Sequence, residues 1–264
     1  MPFTRYASAY GRVIGIESDD AGIALPLPYL PFPWDTTRPQ GGLDRIYQVR
    51  SRPNGAYTLA IDQDPPVDVL GLELLGDRIE GDLHHWLATF TRGFLFVHAG
   101  CVGWRGRGLV LPGRSHAGKT TLTRALVEAG ATYYSDDYAV IDPTGAIWPF
   151  PRRLYVRPIT SEPPHRIDPV ASQWEIGRTA MRAALVAELR FDRDGGWAVE
   201  RLSGGQGALS LLDNTVAARE RPQDALRLMS NAMEGAIAIK GTRGDAESSA
   251  RRLLAMVDDF LDHA

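Results

Sequence analysis

Eight consecutive residues, Gly113-Arg-Ser-His-Ala-Gly118-Lys119-Thr120, fit the pattern G-x-x-x-x-G-K-[ST] without gaps. The apolar run Leu109-Val110-Leu111 enters this segment and an amphipathic stretch leaves it, the context in which such a loop cradles phosphate. Glycines let the backbone wrap an anion closely with its N–H groups turned inward. The start of the following helix adds partial positive charge. Lys119 is expected to reach the β and γ phosphates, and the Thr120 hydroxyl is an oxygen ligand of the kind Mg²⁺ prefers. The segment therefore predicts a phosphate-binding P-loop that takes ATP or a related nucleotide with Mg²⁺. Its contacts are Gly113, Ser115, His116, Ala117, Gly118, Lys119, Thr120 and Thr121. The positions between the glycines contribute mainly backbone, so His116 reads as a tolerated variable residue.

Close behind the loop lies the pair Asp136-Asp137. Two adjacent carboxylates at a strand end are unfavourable unless a cation or a proton sits between them. Near a P-loop they suggest divided roles: one holds Mg²⁺, the other takes a proton from an attacking hydroxyl. Two solvated loop acids are the plainer alternative. His98, in FVHAGCV on the strand pair before the loop, reads either as a satisfied core residue or as a partner in proton transfer. Arg152, Arg153 and Arg157 cluster after the acids, and in an extended strand Arg153, Tyr155 and Arg157 share one face. Guanidinium forks suit phosphate or a peptide carboxylate; the competing reading is a solvated strand face.

Leu202-Ser203-Gly204-Gly205-Gln206 spells the signature pentapeptide of ABC-transporter ATPases. The apolar strand ending in Asp-Glu that should follow it is not there. The pentapeptide is expected instead to be a strand-to-helix turn ahead of a helix at 208–212.

These residues need elements to hold them. Residues 1–80 read as strands and loops, with runs at YGRVIGIES and AYTLAID and a proline-rich stretch at 26–39 that no regular element can contain. Asp82 is placed to cap a short helix burying Leu83, Trp86, Leu87 and Phe90. FLFVHAGCVGW and GRGLVL predict two strands, and 119–129 a helix with Leu122, Leu126 and Ala129 on one face and Gly130 as its stop. ATYYS and YAVID flank the acid pair, and a hairpin turn follows at PTGAIW. Residues 183–191 predict a strand, DRDGG a turn, and WAVERL the strand returning against it. A helix is expected at 222–235 with Leu226, Met229 and Met233 inward, and a strand at 236–240. A last helix capped by Asp245 is expected to bury Ala250, Leu253, Leu254, Val257 and Leu261. The alternation lacks a strict βαβ rhythm, which predicts a mixed sheet in an α/β domain.

The run FVHAGCVGWRGRGLVLPGRSHAGKTTLTRALVEAGATYYSDDYAVID resembles the core of the HPr kinase family. In that family a His-(Ala/Gly)-Gly strand precedes a glycine-bearing hairpin, the P-loop, a helix ending in glycine and a strand ending in Asp-Asp. The family shares its nucleotide-binding core with PEP carboxykinase. The resemblance is dense over residues 94–142 and collinear through the later strands and helices. It implies an α/β fold with a mixed sheet flanked by helices over residues 93–264, beside an N-terminal β-rich region over 1–92. It implies transfer of the ATP γ-phosphoryl group to a hydroxyl, typically serine, of a peptide or protein. Asp136, Asp137, His98 and Lys119 match the catalytic positions, and Thr120 with the two aspartates the metal ligands; which aspartate is the base stays open. The chain departs from HPr kinases proper in lacking a downstream Glu-Ile-Arg-Gly-Leu-Gly segment, where it reads PFPRRLYVRP. It is more similar to the shorter HPr-kinase-related proteins of ribosomal-peptide and lasso-peptide pathways. An ABC-like motor NTPase, a non-catalytic nucleotide sensor and a small-molecule kinase are the alternatives.

Composition sets outer limits. A net charge of -3 argues against nucleic acid or anionic membrane as the main partner. The single cysteine, Cys101, forbids an intramolecular disulfide and a cysteine-based zinc site, as expected for a cytoplasmic protein. No run approaches the roughly 18 apolar residues of a membrane helix. The oligomeric state stays open, a homo-oligomer included.

Overall fold

The computed structural model describes residues 3–20, 27–30, 32–114, 117–156 and 165–263. The chain divides into two units, Met1–Arg92 and Gly93–Ala264. Among the described residues the fold is mixed α/β, with five α-helices and three sheets. Among the described residues no helix is long and apolar enough to cross a membrane.

The first unit holds strands β1 (Phe3–Ala9), β2 (Arg12–Ser18), β3 (Arg45–Ser51), β4 (Ala56–Ile61) and β5 (Val67–Leu70), followed by helix α1 (Leu72–Phe90). The strands form one sheet in sequence order, antiparallel except for the parallel β2–β3 pair. Helix α1 is far longer than the short element expected after Asp82, and it begins where only strands and loops were expected. Leu75, Ile79, Leu83 and Leu87 recur at helical spacing and are all buried, but the polar residues between Leu75 and Leu83 mask the first half of the stripe. Asp82 therefore lies mid-helix and caps nothing. Its carboxylate instead accepts hydrogen bonds from Arg45 (2.6 and 2.8 Å) and from the hydroxyl of buried Tyr47 (2.7 Å). Phe90, expected inside, is exposed, and Trp86 lies half-buried under the guanidinium groups of Arg12 and Arg45.

The second unit runs β6 (Leu95–Trp104), β7 (Arg107–Pro112), α2 (Lys119–Glu128), β8 (Thr132–Ser135), β9 (Tyr138–Ile141), β10 (Ile147–Trp148), β11 (Leu154–Val156), β12 (His165–Ile167), β13 (Ala183–Phe191), β14 (Ala198–Leu202), α3 (Gly204–Asp213), α4 (Pro222–Ala232), β15 (Ile237–Arg243) and α5 (Ala246–Asp262). Its main sheet has the order β10-β9-β6-β7-β13-β15-β14, with β8 also paired to β6. β7, β13 and β15 are parallel, whereas β6, β9 and β14 run against their neighbours.

The inside-out alternation of strands sorts the core into two layers. Val110 and Val186 pack with α3 and α4, while Leu109, Leu111, Leu185 and Ala187 pack with α2 and α5.

Local pattern missed one pairing. β13 and β14 were expected as a hairpin, but β15 inserts between them, parallel to β13 and antiparallel to β14. The Asp192 turn does form, its carboxylate accepting from the Asp194 and Gly195 amides. Leu226, expected inward on α4, is exposed, and Ala225, Leu228, Met229 and Ala232 make its buried face. Ala129 is exposed just beyond α2, and Leu261 is only half-buried on α5. The α5 cap is as expected, with Asp245 accepting from the Glu247 and Ser248 amides.

The Asp82 cluster makes a direct prediction. Asp82→Ala leaves buried Tyr47 without its acceptor and Arg45 with Asp62 alone, and should lower the protection free energy of α1 amides by about 2–3 kcal/mol. Hydrogen exchange reads this; a change near 1 kcal/mol or less would match an ordinary surface cap instead.

Candidate functional site

The P-loop joins the C-terminal end of β7 to α2, at the edge where the parallel strands β7, β13 and β15 all end. In open α/β sheets this edge is where ligands bind. Gly118 has φ +83°, the left-handed region that glycine enters without strain. Lys119 is 9% exposed, and its Nζ donates to the carbonyls of Gly113 (2.6 Å) and Arg114 (2.9 Å). Burial pulls the Lys119 pKa down, opposed by the nearby charges of Asp137 and Asp136. Thr121 is exposed on the first turn of α2. Ser115, His116 and Arg157 lie outside the described residues.

The backbone register brings the other candidates to this loop. β6 lies between β7 on one side and β8 and β9 on the other. At His98 the strand touches both neighbours: the Gly113 amide donates to the His98 carbonyl (3.4 Å), and the Ala99 amide donates to the Asp137 carbonyl (2.9 Å). Asp136 and Asp137 fill the break between β8 and β9. Ser135 shapes that break, its hydroxyl accepting from the Asp137 (3.1 Å) and Tyr138 (3.0 Å) amides. Gly100 adds a close approach from beneath, since a Cβ there would lie 2.3 Å from the Thr123 hydroxyl on α2.

The two carboxylates face different partners. Asp136, 8% exposed, accepts from the Thr120 hydroxyl at 3.1 Å, and the Tyr133 hydroxyl lies 3.2 Å from its other oxygen. Asp137 ion-pairs with Arg152 and has His98 Nδ1 3.4 Å from one carboxylate oxygen. The same Nδ1 lies 3.0 Å from the Asp137 carbonyl. Burial pushes Asp136 up to about 6, with the Arg152 charge pulling down and the Asp137 charge pushing up. Tyr138, beside His98, is pushed up to about 12 by burial and then by Asp137.

A hard divalent cation fits Asp136 and Thr120. They present two oxygen donors side by side, and the buried carboxylate lacks a fully compensating charge. Among the described residues no group of three or more His, Cys, Asp or Glu side chains forms a metal cage. Mg²⁺ typically takes one or two protein oxygens and completes its shell with phosphate and water.

Compared with known proteins, the chain matches no family model and no curated sequence.

Of the expected basic cluster, Arg152 turns to Asp137, and Arg153 Nε lies 3.9 Å from an Asp168 oxygen. Tyr133 and Ser135 are site residues that sequence reasoning missed, although both sit in the ATYYS run just before the acids. The Leu202–Gln206 pentapeptide makes the expected strand-to-helix turn, with the helix starting earlier than 208. Ser203 and Gln206 form a reciprocal capping box on α3, and a Cβ at Gly207 would meet Ala238 and Met233 at 2.8 Å.

Asp136 predicts an unusual pH response. Its folded-state pKa lies above its unfolded value, so the native state binds more protons between about pH 4 and 6. Its ionisation thus destabilises the fold above about pH 6, and protonation relieves this as pH falls. Asp136→Asn should stabilise the protein at pH 7.5 by on the order of 2–3 kcal/mol relative to wild type. The difference should vanish by pH 4, as measured by urea denaturation without Mg²⁺. An equal effect at both pH values would refute the assignment.

Proposed function

We propose that this protein is a P-loop kinase of the HPr-kinase-like type, which transfers the γ-phosphoryl group of ATP to the serine hydroxyl of a peptide or protein. The observation that carries this reading is the meeting of the P-loop Thr120 with Asp136, and of Asp137 with His98, at one sheet edge. A carboxylate–imidazole pair stands next to the glycine-rich loop, an arrangement suited to a hydroxyl nucleophile that must lose its proton as it attacks.

The partners of the two aspartates divide their labour. Asp136 and Thr120 would hold Mg²⁺, which when bound neutralises charge on the phosphates. The P-loop amides and Lys119 bind the polyphosphate; Lys119 exchanges its backbone carbonyl partners for phosphate oxygens. Asp137 accepts the acceptor proton, with His98 and Arg152 orienting its carboxylate. The acceptor oxygen forms its bond to the γ-phosphorus as the bond to the β–γ bridging oxygen breaks, and ADP leaves with that electron pair. Arg153, just before β11, supplies a guanidinium group for an anionic acceptor end or a phosphate.

The likeness to kinases of ribosomally made peptide precursors suggests the acceptor class. The pentapeptide at the start of α3 has a local role, helix capping, that accounts for its serine and glutamine without a second nucleotide.

Incubation with ATP, Mg²⁺ and serine-containing peptides, including products of neighbouring genes, should yield a gain of roughly 80 Da on serine, read by mass spectrometry. Asp137→Asn should lower transfer by about 10²-fold or more while ATP affinity changes only a few-fold. Lys119→Ala should lose both. Phosphate release from ATP at an undiminished rate without any peptide would favour a motor NTPase, and tight ATP binding with no turnover a nucleotide sensor.

A further inference from the structure

Arg243, at the C-terminal end of β15, is 2% exposed and among the largest fully buried side chains of the molecule. It lies directly behind the P-loop. Its guanidinium donates to the Gly118 carbonyl (2.8 Å) and the Gly244 carbonyl (2.8 Å), and it stacks over the Phe191 ring at 5.3 Å. A Cβ built on Gly118 would come within 2.5 Å of this guanidinium, so the loop and the arginine are in direct contact. Backbone bonds continue the link: the Phe191 amide donates to the Ala117 carbonyl (3.3 Å), and the Asp192 amide to the Arg243 carbonyl (2.9 Å).

A buried guanidinium is costly unless an anion compensates it. Among the described residues Arg243 forms no carboxylate ion pair, and its Nε has no hydrogen-bond partner. Asp245, the acid that acts on it electrostatically, is engaged in capping α5. Lys119, on the other side of Gly118, likewise rests on backbone carbonyls rather than a carboxylate. Among the described residues two buried cations thus bracket one glycine, each hydrogen-bonded to backbone carbonyls and neither to a carboxylate.

We propose that Arg243 is a positioning residue of a polyphosphate site, acting through Gly118. By holding the Gly118 carbonyl from behind, it turns the following amides toward the ligand and keeps the glycine in its left-handed conformation. Its charge adds to that of Lys119 in favouring an anion bearing several phosphates. The inference rests on the P-loop reading above but assigns a second cation outside the motif, some 125 residues further along the chain.

Binding of ATP and of inorganic tripolyphosphate to the full chain, by calorimetry, tests it. Arg243→Met keeps the bulk and removes charge and donors; Arg243→Lys keeps the charge but loses the fork. The Met variant should bind both probes at least tenfold more weakly while its far-ultraviolet circular dichroism stays that of wild type. The Lys variant should recover part of the loss, which mere filling of space would not produce. A folded Met variant within twofold of wild type for both probes overturns the proposal. If the Met variant does not fold, a Lys variant within twofold of wild type does so equally. Wild-type protein that binds neither probe defeats the P-loop reading itself, and is told apart because no variant is needed to see it.

Discussion

The site depends on one strand, β6, hydrogen-bonding to both of its neighbours at His98. The His98 carbonyl takes the first P-loop amide, and the next residue gives its amide to the Asp137 carbonyl. These bonds are backbone bonds, so side-chain substitution does not erase them. They set the spacing between phosphate loop, histidine and acid pair to the interstrand distance of a sheet. With that spacing fixed, short side chains suffice: Thr120 meets Asp136, and His98 meets Asp137, with no long reach and little rotamer entropy to lose. Gly100 serves the same geometry by letting α2 settle close on β6.

Charge is the second organising constraint. The sheet edge gathers Lys119, Arg152, Arg243, Asp136 and Asp137, most of them largely withdrawn from water. Burial raises Asp136 and lowers Lys119 and Arg243, so each is held in an environment that disfavours its own charge. Such clusters are unfavourable for folding, and groups perturbed in this way gather at functional sites. The acids sit toward β8 and β9 and the buried cations toward β7 and β15. A cation on the first side and an anion on the second would restore neutrality, as a metal–polyphosphate complex does.

Much of the second unit was legible from local pattern. The helix from Lys119, the acid pair between two short strands and the Asp245 cap all follow from residue types within a few positions of each other. Errors arose where the deciding partner was remote. Asp82 resembles a cap until Arg45 and Tyr47 are seen beside it, and α1 is obscured because its polar face interrupts the apolar run. β13 and β14 look like a hairpin because a turn joins them, yet β15 lies between them and pairs with both. Leu226 and Ala225 show the same limit in a helix: hydrophobicity favours the leucine, but the neighbouring elements leave room for the smaller residue.

The sequence by itself determined the groups on offer: a glycine-rich loop ending in Gly118-Lys119-Thr120, two adjacent carboxylates, a histidine and several arginines. It did so because glycine conformation, helix capping and the donors of Lys and Thr act over a few covalent bonds. Only the tertiary structure decided which of these meet. It matched Asp136 with Thr120, gave Asp137 to His98 and Arg152, and brought Arg243 from the last strand to the back of the loop. Those choices come from strand order and register, which are set by burial and backbone pairing across the whole sheet and are not encoded in any short window of the chain.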